Sequence, residues 1–116
     1  MAAAHVVVTV LTILANAGIA VADLARARFV LANSAEVGVP ASWVPALGAL
    51  KGAGAVGLLL GLLGAPVIGR AAAVGLVLFF VGAVVAHLKA RVLHNIAAPT
   101  AFLALAVASL ALDPAR

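Results

Sequence analysis

Apolar residues run in four long blocks along the chain, and charged residues are almost confined to the joints between the blocks. The blocks cover residues 2–25, 43–63, 69–88 and 93–112. A helix that spans a bilayer needs about 20 predominantly apolar residues, which rise 1.5 Å each. The blocks are rich in Ala, Leu, Val and Gly and lack the alternation of barrel strands. The pattern predicts an all-α membrane protein, with residues 1–116 as a single four-transmembrane-helix bundle.

The composition supports a lipid environment. Hydrophobic residues make up 67% of the chain and charged residues 9%, whereas soluble domains average about 45–50% and about 25%. The net charge of +4 arises from residues that flank the blocks, without a basic run or interleaved aromatic residues. The sequence therefore predicts membrane lipids, and no nucleic acid, as partners. The chain has no cysteine, which excludes disulfides, thiol redox chemistry and thiolate metal sites within it.

The distribution of Lys and Arg predicts an orientation. With four spans, the loops at residues 26–42 and 89–93 share one membrane face, and the termini and the loop between spans two and three share the other. The first face carries Arg26, Arg28, Lys89 and Arg91, and the second carries Arg70 and Arg116. Because cytoplasmic loops are enriched in Lys and Arg, loops one and three are predicted to be cytoplasmic.

Loop one is the only long connection. Residues 24–37 could extend the first helix or lie along the membrane interface. Residues 38–40 should end that segment, because Gly38 and Pro40 interrupt helices. Ser42 is a plausible helix cap before Trp43 enters the second span.

Small residues at helical spacing predict close packing between helices. Glycines recur four or seven residues apart in spans two and three, where they let helix backbones approach closely. These packing glycines are Gly48, Gly52, Gly54, Gly57, Gly61, Gly75 and Gly82. The same faces would serve packing within one chain or a seam between copies in a homo-oligomer, and both interpretations stay open.

Polar residues of the first block fall on one helical face. Wound at 100° per residue, five of them lie within a sector of about 60°. They are His5, Thr9, Thr12, Asn16 and Asp23. This face is predicted to look toward other helices or a cavity and away from lipid.

Lys51 lies inside the second block, roughly 9–12 Å beyond the entrance at Trp43 when each residue rises 1.5 Å. A charge at that depth costs several kcal/mol if it faces lipid alone. Span one ends and span two begins at the same membrane face, so Asp23 is the natural ion partner of Lys51. The alternatives are that Lys51 snorkels to the near interface and that Asp23 pairs with Arg26 at the surface.

Further polar residues are expected at the same face, where they would form a water-accessible vestibule. Its candidate ligand-binding or buried polar cluster is Asn16, Asp23, Lys51, His87 and His94. The two histidines could instead be ordinary interfacial residues.

The two histidines do not predict a metal or haem site. His87 and His94 lie on either side of a helix joint and not on one helical face, and no carboxylate lies near them in sequence. No P-loop, nucleophile elbow or zinc-protease motif is present. The sequence predicts no catalytic residue and no metal ligand, which favours a protein that is not an enzyme.

The order of several segments resembles the DoxX-like family over nearly the whole chain. A Trp43–Pro45 entrance leads into a Gly-rich span around Lys51, and the third span ends in Ala86-His87-Leu88-Lys89. The segments that carry the resemblance are residues 39–45, 47–58, 71–76, 81–89 and Pro99. The resemblance implies a four-helix bundle in a bacterial inner membrane. Relatives include small subunits of quinone-linked sulfur oxidation complexes, oxidative-stress assemblies and receptor-assembly chaperones.

Two functions fit these features. The first is a non-catalytic accessory or assembly subunit without a cofactor, bound to a protein partner in the membrane or to a second copy. The alternative is a binding protein for a quinone, lipid or other amphiphile. Its polar head would contact Lys51, Asn16, Asp23 and His87, and its tail would contact Phe79 and Phe80. Redox catalysis and ion transport are further alternatives.

Overall fold

The computed structural model describes residues 2–114, and all regular structure in that range is helical. The elements are α1 (Ala3–Leu24), α2 (Arg28–Glu36), a short 3₁₀ turn (Ala41–Trp43), α3 (Val44–Leu62), α4 (Pro66–Ala90) and α5 (Ala97–Ala111). The predicted all-α class is therefore confirmed.

Three stretches within residues 2–114 are long and apolar enough to cross a membrane: Ala3–Leu24, Ala41–Leu62 and Pro66–Ala90. The expectation of four full-length spans is not met, because α5 has only 15 residues, or about 22 Å at 1.5 Å per residue. Arg91 adopts a left-handed conformation that ends α4, and a turn occupies residues 94–96 before α5 begins. Pro99 lies in the first turn of α5, the part of a helix that tolerates a residue without an N–H group.

Proline also sets the beginnings of the middle helices. Pro66 is the first residue of α4, and Pro45 is the second of α3, positions where a missing N–H group costs no intrahelical bond. The third apolar segment is consequently longer than the predicted 69–88. The prediction that Ser42 caps the second span is wrong, because Trp43 is the cap residue and no side chain bonds to the helix end.

The four longer helices each pack against two neighbours. α1 contacts α3 and α5, and α4 likewise contacts α3 and α5. The core between them contains Leu58, Ala73, Leu76, Phe80 and Ala106. Many other large apolar side chains, such as Leu14 and Val21, are exposed on the outside, as expected for surfaces that face lipid.

Glycines on two sides of α3 allow its close contacts with α1 and with α4. A Cβ atom at Gly48 would lie 2.5 Å from Asp23 Cβ on α1, and one at Gly61 would lie 2.6 Å from Gly69 Cα on α4. Gly54 and Gly57 lie similarly close to α4, and Gly52 is in ordinary contact distance of α1. By contrast, a Cβ atom at Gly75 or Gly82 would meet nothing within 4 Å.

α2 is a separate helix and does not continue α1. Arg26 has a φ of 55°, which turns the chain after α1, and Gly38 has a φ of 78° just after α2. Val30 is the one buried residue of α2, so this helix packs on the others through a narrow contact. The residues between α1 and α3 therefore form a short helix that lies against one end of the helical core.

Candidate functional site

The polar face of α1 is turned inward, as predicted. Thr9, Thr12, Asn16 and Asp23 are all buried, and His5 is half-buried. Thr12 Oγ1 donates to the carbonyl oxygen of Val8, and Asn16 Nδ2 donates to that of Thr12. Such bonds to backbone carbonyl oxygens of the same helix satisfy part of the hydrogen-bonding capacity of these buried side chains.

Asp23 and Lys51 form the predicted ion pair. Lys51 Nζ lies 2.8 Å from Asp23 Oδ2, and the side chains are 14% and 3% exposed, respectively. Gly48 brings the two residues close enough to pair. Its missing side chain lets α3 contact α1 at Asp23, and Lys51 lies almost one turn further along α3. Lys51 Nζ also lies 5.4 Å from the centre of the Phe79 ring, within the range of a cation–π contact.

The ion pair lies in the wall of a cavity of about 480 Å³, which we call the vestibule. α1, α2, α3 and α4 all contribute to its lining. Its ionisable lining residues are Asp23, Lys51 and His87, and most of the remaining wall is apolar. Phe29, Trp43 and Phe79 supply aromatic surface. The vestibule is therefore an apolar cavity with a small polar region, the usual composition of a small-molecule site.

The hydrogen bond made by His87 determines which of its ring nitrogens carries the hydrogen and which is left to accept one. His87 Nδ1 lies 2.8 Å from the carbonyl oxygen of Ala83, one turn earlier in α4. A carbonyl only accepts, so Nδ1 carries the hydrogen in this contact. In the neutral ring Nε2 is then an acceptor, and the vestibule offers both a donor at Lys51 and an acceptor at His87.

The remaining two residues of the predicted cluster lie elsewhere. Asn16 is fully buried, deeper along α1, and is not part of the vestibule lining. Its Oδ1 atom is buried without a hydrogen-bond partner among the described residues. His94 lies outside the vestibule, where its Nε2 atom bonds to the carboxylate of Glu36 on α2. The structure thus brings together Asp23, Lys51 and His87 and leaves the other two apart.

Two polar contacts hold α2 over the vestibule, and sequence reasoning did not identify them. His94 bonds to Glu36, and Asn95 Nδ2 donates to Asn33 Oδ1 at 3.1 Å. Asn33 also lines the vestibule. The sequence contained only a weak indication of these contacts. Loop one contains the acidic residue Glu36, and loops one and three were expected at the same membrane face.

Comparisons with known proteins identify the family of the chain. The model of the DoxX-like family matches residues 7–109. No curated protein matches the chain, and no solved structure does. The matched range includes α2, the whole vestibule and nearly all of α5.

Proposed function

We propose that this chain, which belongs to the DoxX-like family of membrane proteins, binds a small amphiphilic molecule in the vestibule. The observation that carries the proposal is the Lys51–Asp23 ion pair in the wall of an otherwise apolar cavity of about 480 Å³. Cavities of about 300–1,000 Å³ with a few placed polar groups are typical of small-molecule sites.

The charges favour a neutral polar head on the ligand. Asp23 already balances Lys51, so a charged head would bring an uncompensated charge into a mostly apolar site. An ammonium group has three donors, and Asp23 occupies one of them. Lys51 can therefore donate to a carbonyl or hydroxyl oxygen of the ligand, and His87 Nε2 can accept from a hydroxyl. A quinone, a neutral lipid or another amphiphile has this chemistry.

The single tryptophan gives a direct test of binding. Trp43 lines the vestibule and is the only tryptophan of the chain. The protein would be titrated in detergent with a short-tailed benzoquinone and, separately, with a brominated long-chain alcohol, both of which quench tryptophan. We expect saturable quenching by at least one of them. Replacing the ion pair in the variant Asp23→Asn/Lys51→Met should weaken binding about 10- to 150-fold, the equivalent of one charge-assisted hydrogen bond of about 1.5–3 kcal/mol.

The matched control is Lys89→Met, which makes the same substitution at an exposed lysine near the end of α4. It should bind like the unaltered protein. Quenching that never saturates, or that is equal in the double variant and the control, would contradict the proposal.

A second candidate function is the accessory or assembly subunit. It is favoured by the open surface at Gly75 on α4, where a helix of another chain could approach closely. A protein partner or a second copy would then appear as added mass in gentle detergent. A chain that stays alone, even after chemical crosslinking, would contradict this function.

We further propose that the protein lies in a bacterial inner membrane, with α5 as the fourth span of a bundle and loops one and three in the cytoplasm. The absence of cysteine allows a single cysteine to report its side of the membrane. A membrane-impermeant maleimide added to intact spheroplasts should label Gly64→Cys and Pro114→Cys but not Ala35→Cys. Labelling of Ala35→Cys alone would reverse the orientation, and opposite results at positions 64 and 114 would contradict a spanning α5.

A further inference from the structure

A second cavity, of about 260 Å³, lies at the end of the helices away from the vestibule. His5 lines it, whereas Asp23 lines the vestibule, and the two residues are about 27 Å apart along α1 at 1.5 Å per residue. The cavity reaches the surface at the exposed Pro114. Leu58, Leu62 and Ala73 form part of its apolar wall.

Polar groups from both ends of the chain meet in this second cavity. Thr9 Oγ1 and Ser109 Oγ lie 2.9 Å apart, and both residues are 2% exposed. His5 Nδ1 is buried and has no hydrogen-bond partner among the described residues. Asp113 also lines the cavity and has an interaction of its own within the chain.

The polar groups in this cavity have more hydrogen-bonding capacity than the described residues satisfy. Thr9 and Ser109 each have one hydroxyl hydrogen, and their mutual bond uses only one of the two. The second hydroxyl hydrogen and His5 Nδ1 are therefore both available to a molecule in the cavity. Buried polar groups are normally satisfied, by protein or by a bound molecule. A hydroxyl group on a bound molecule satisfies both protein groups. Its oxygen accepts from the free hydroxyl hydrogen of Thr9 or Ser109, and its hydrogen is donated to His5 Nδ1 when the ring hydrogen is on Nε2.

We propose that this second cavity is a binding site for a small, neutral, hydroxyl-bearing molecule. The site is independent of the vestibule and of the function proposed for it. Its volume is below the range of about 300–1,000 Å³ usual for drug-sized ligands but exceeds the roughly 30 Å³ that one water occupies. A short alcohol fits this space, with its hydroxyl near His5 and Ser109 and its carbon chain against the leucines.

Nitrogen NMR of the histidine rings tests the site directly. The full chain, labelled with ¹⁵N-histidine in detergent, would be titrated with 1-butanol and with 1-chlorobutane, which has a similar size and no hydroxyl. The His5 signals, assigned by their loss in His5→Phe, should shift saturably with 1-butanol and not with 1-chlorobutane. The signals of His94 provide the internal control, since this residue lines neither this cavity nor the vestibule.

The variant Thr9→Val/Ser109→Ala separates binding from a general solvent effect. It removes both hydroxyl groups, so no hydroxyl hydrogen is left to bond to the ligand, and we expect it to weaken 1-butanol binding about 5- to 10-fold, as for the loss of one hydrogen bond of about 1–1.4 kcal/mol. A His5 shift that is linear in butanol, equal for the two compounds or unchanged in this double variant would overturn the proposal. In those cases the cavity holds water only.

Discussion

Replacing Lys51 with Met is expected to lower the free energy of unfolding by about 3–5 kcal/mol, because Asp23 would keep a buried carboxylate without its ion partner. Asp23 is 3% exposed at its side chain, and Lys51 Nζ is its ion partner at 2.8 Å. Thermal or denaturant unfolding in one detergent gives the measurement. Lys89→Met, at an exposed lysine, should change stability by less than about 0.5 kcal/mol.

The double variant Asp23→Asn/Lys51→Met should recover most of that loss. Asparagine has the shape of aspartate, so the contact with Gly48 is kept while both charges are removed. One amide remains imperfectly bonded, which costs about 1–2 kcal/mol. The non-additivity of the single and double variants measures the coupling of the pair. A Lys51→Met protein as stable as Lys89→Met would show that Lys51 snorkels to water and that the pair adds nothing.

Replacing Gly61 with Val is expected to lower stability by about 2–3 kcal/mol, the range of overpacked interiors. A Cβ atom at this position would lie 2.6 Å from Gly69 Cα, and backbone atoms cannot rotate away. α3 and α4 would have to separate at this point. The loss should be visible as a lower unfolding temperature in detergent.

Gly75→Val provides the matched comparison for this substitution. It makes the same change on α4, where a Cβ atom would meet nothing within 4 Å, so stability should change by no more than about 0.5 kcal/mol. Equal effects of the two valines would contradict the contact at Gly61. A large loss at Gly75 alone would indicate that this surface is covered by a second chain.

The sequence predicted the ion pair because span one ends at the face where span two begins, which makes Asp23 the natural partner of Lys51. It did not exclude that Lys51 snorkels or that Asp23 pairs with Arg26, because the rotation of the helices decides which charges meet. The inward polar face of α1 followed from helical periodicity alone. Glycine spacing indicated that α3 is closely packed, but it did not distinguish Gly61, which lies against the backbone of α4, from the open Gly75.

Sequence patterns could not predict contacts between residues that lie far apart in the chain. Thr9 and Ser109 are 100 residues apart, and His94 and Glu36 are 58 apart. Their meeting depends on helix rotation and on the left-handed turn at Arg26, an unusual conformation for a residue other than glycine. The late start of α5 depends on the turns that follow Arg91. No single residue type identifies these features in advance.

Native mass spectrometry of protein released from gentle detergent, with chemical identification of what it retains, tests the vestibule most directly. We expect one amphiphile per chain in the unaltered protein and in Lys89→Met, and at least about tenfold less in the folded Asp23→Asn/Lys51→Met variant. A bare unaltered chain, or a ligand that the double variant retains equally, would contradict ligand binding at the Lys51–Asp23 pair.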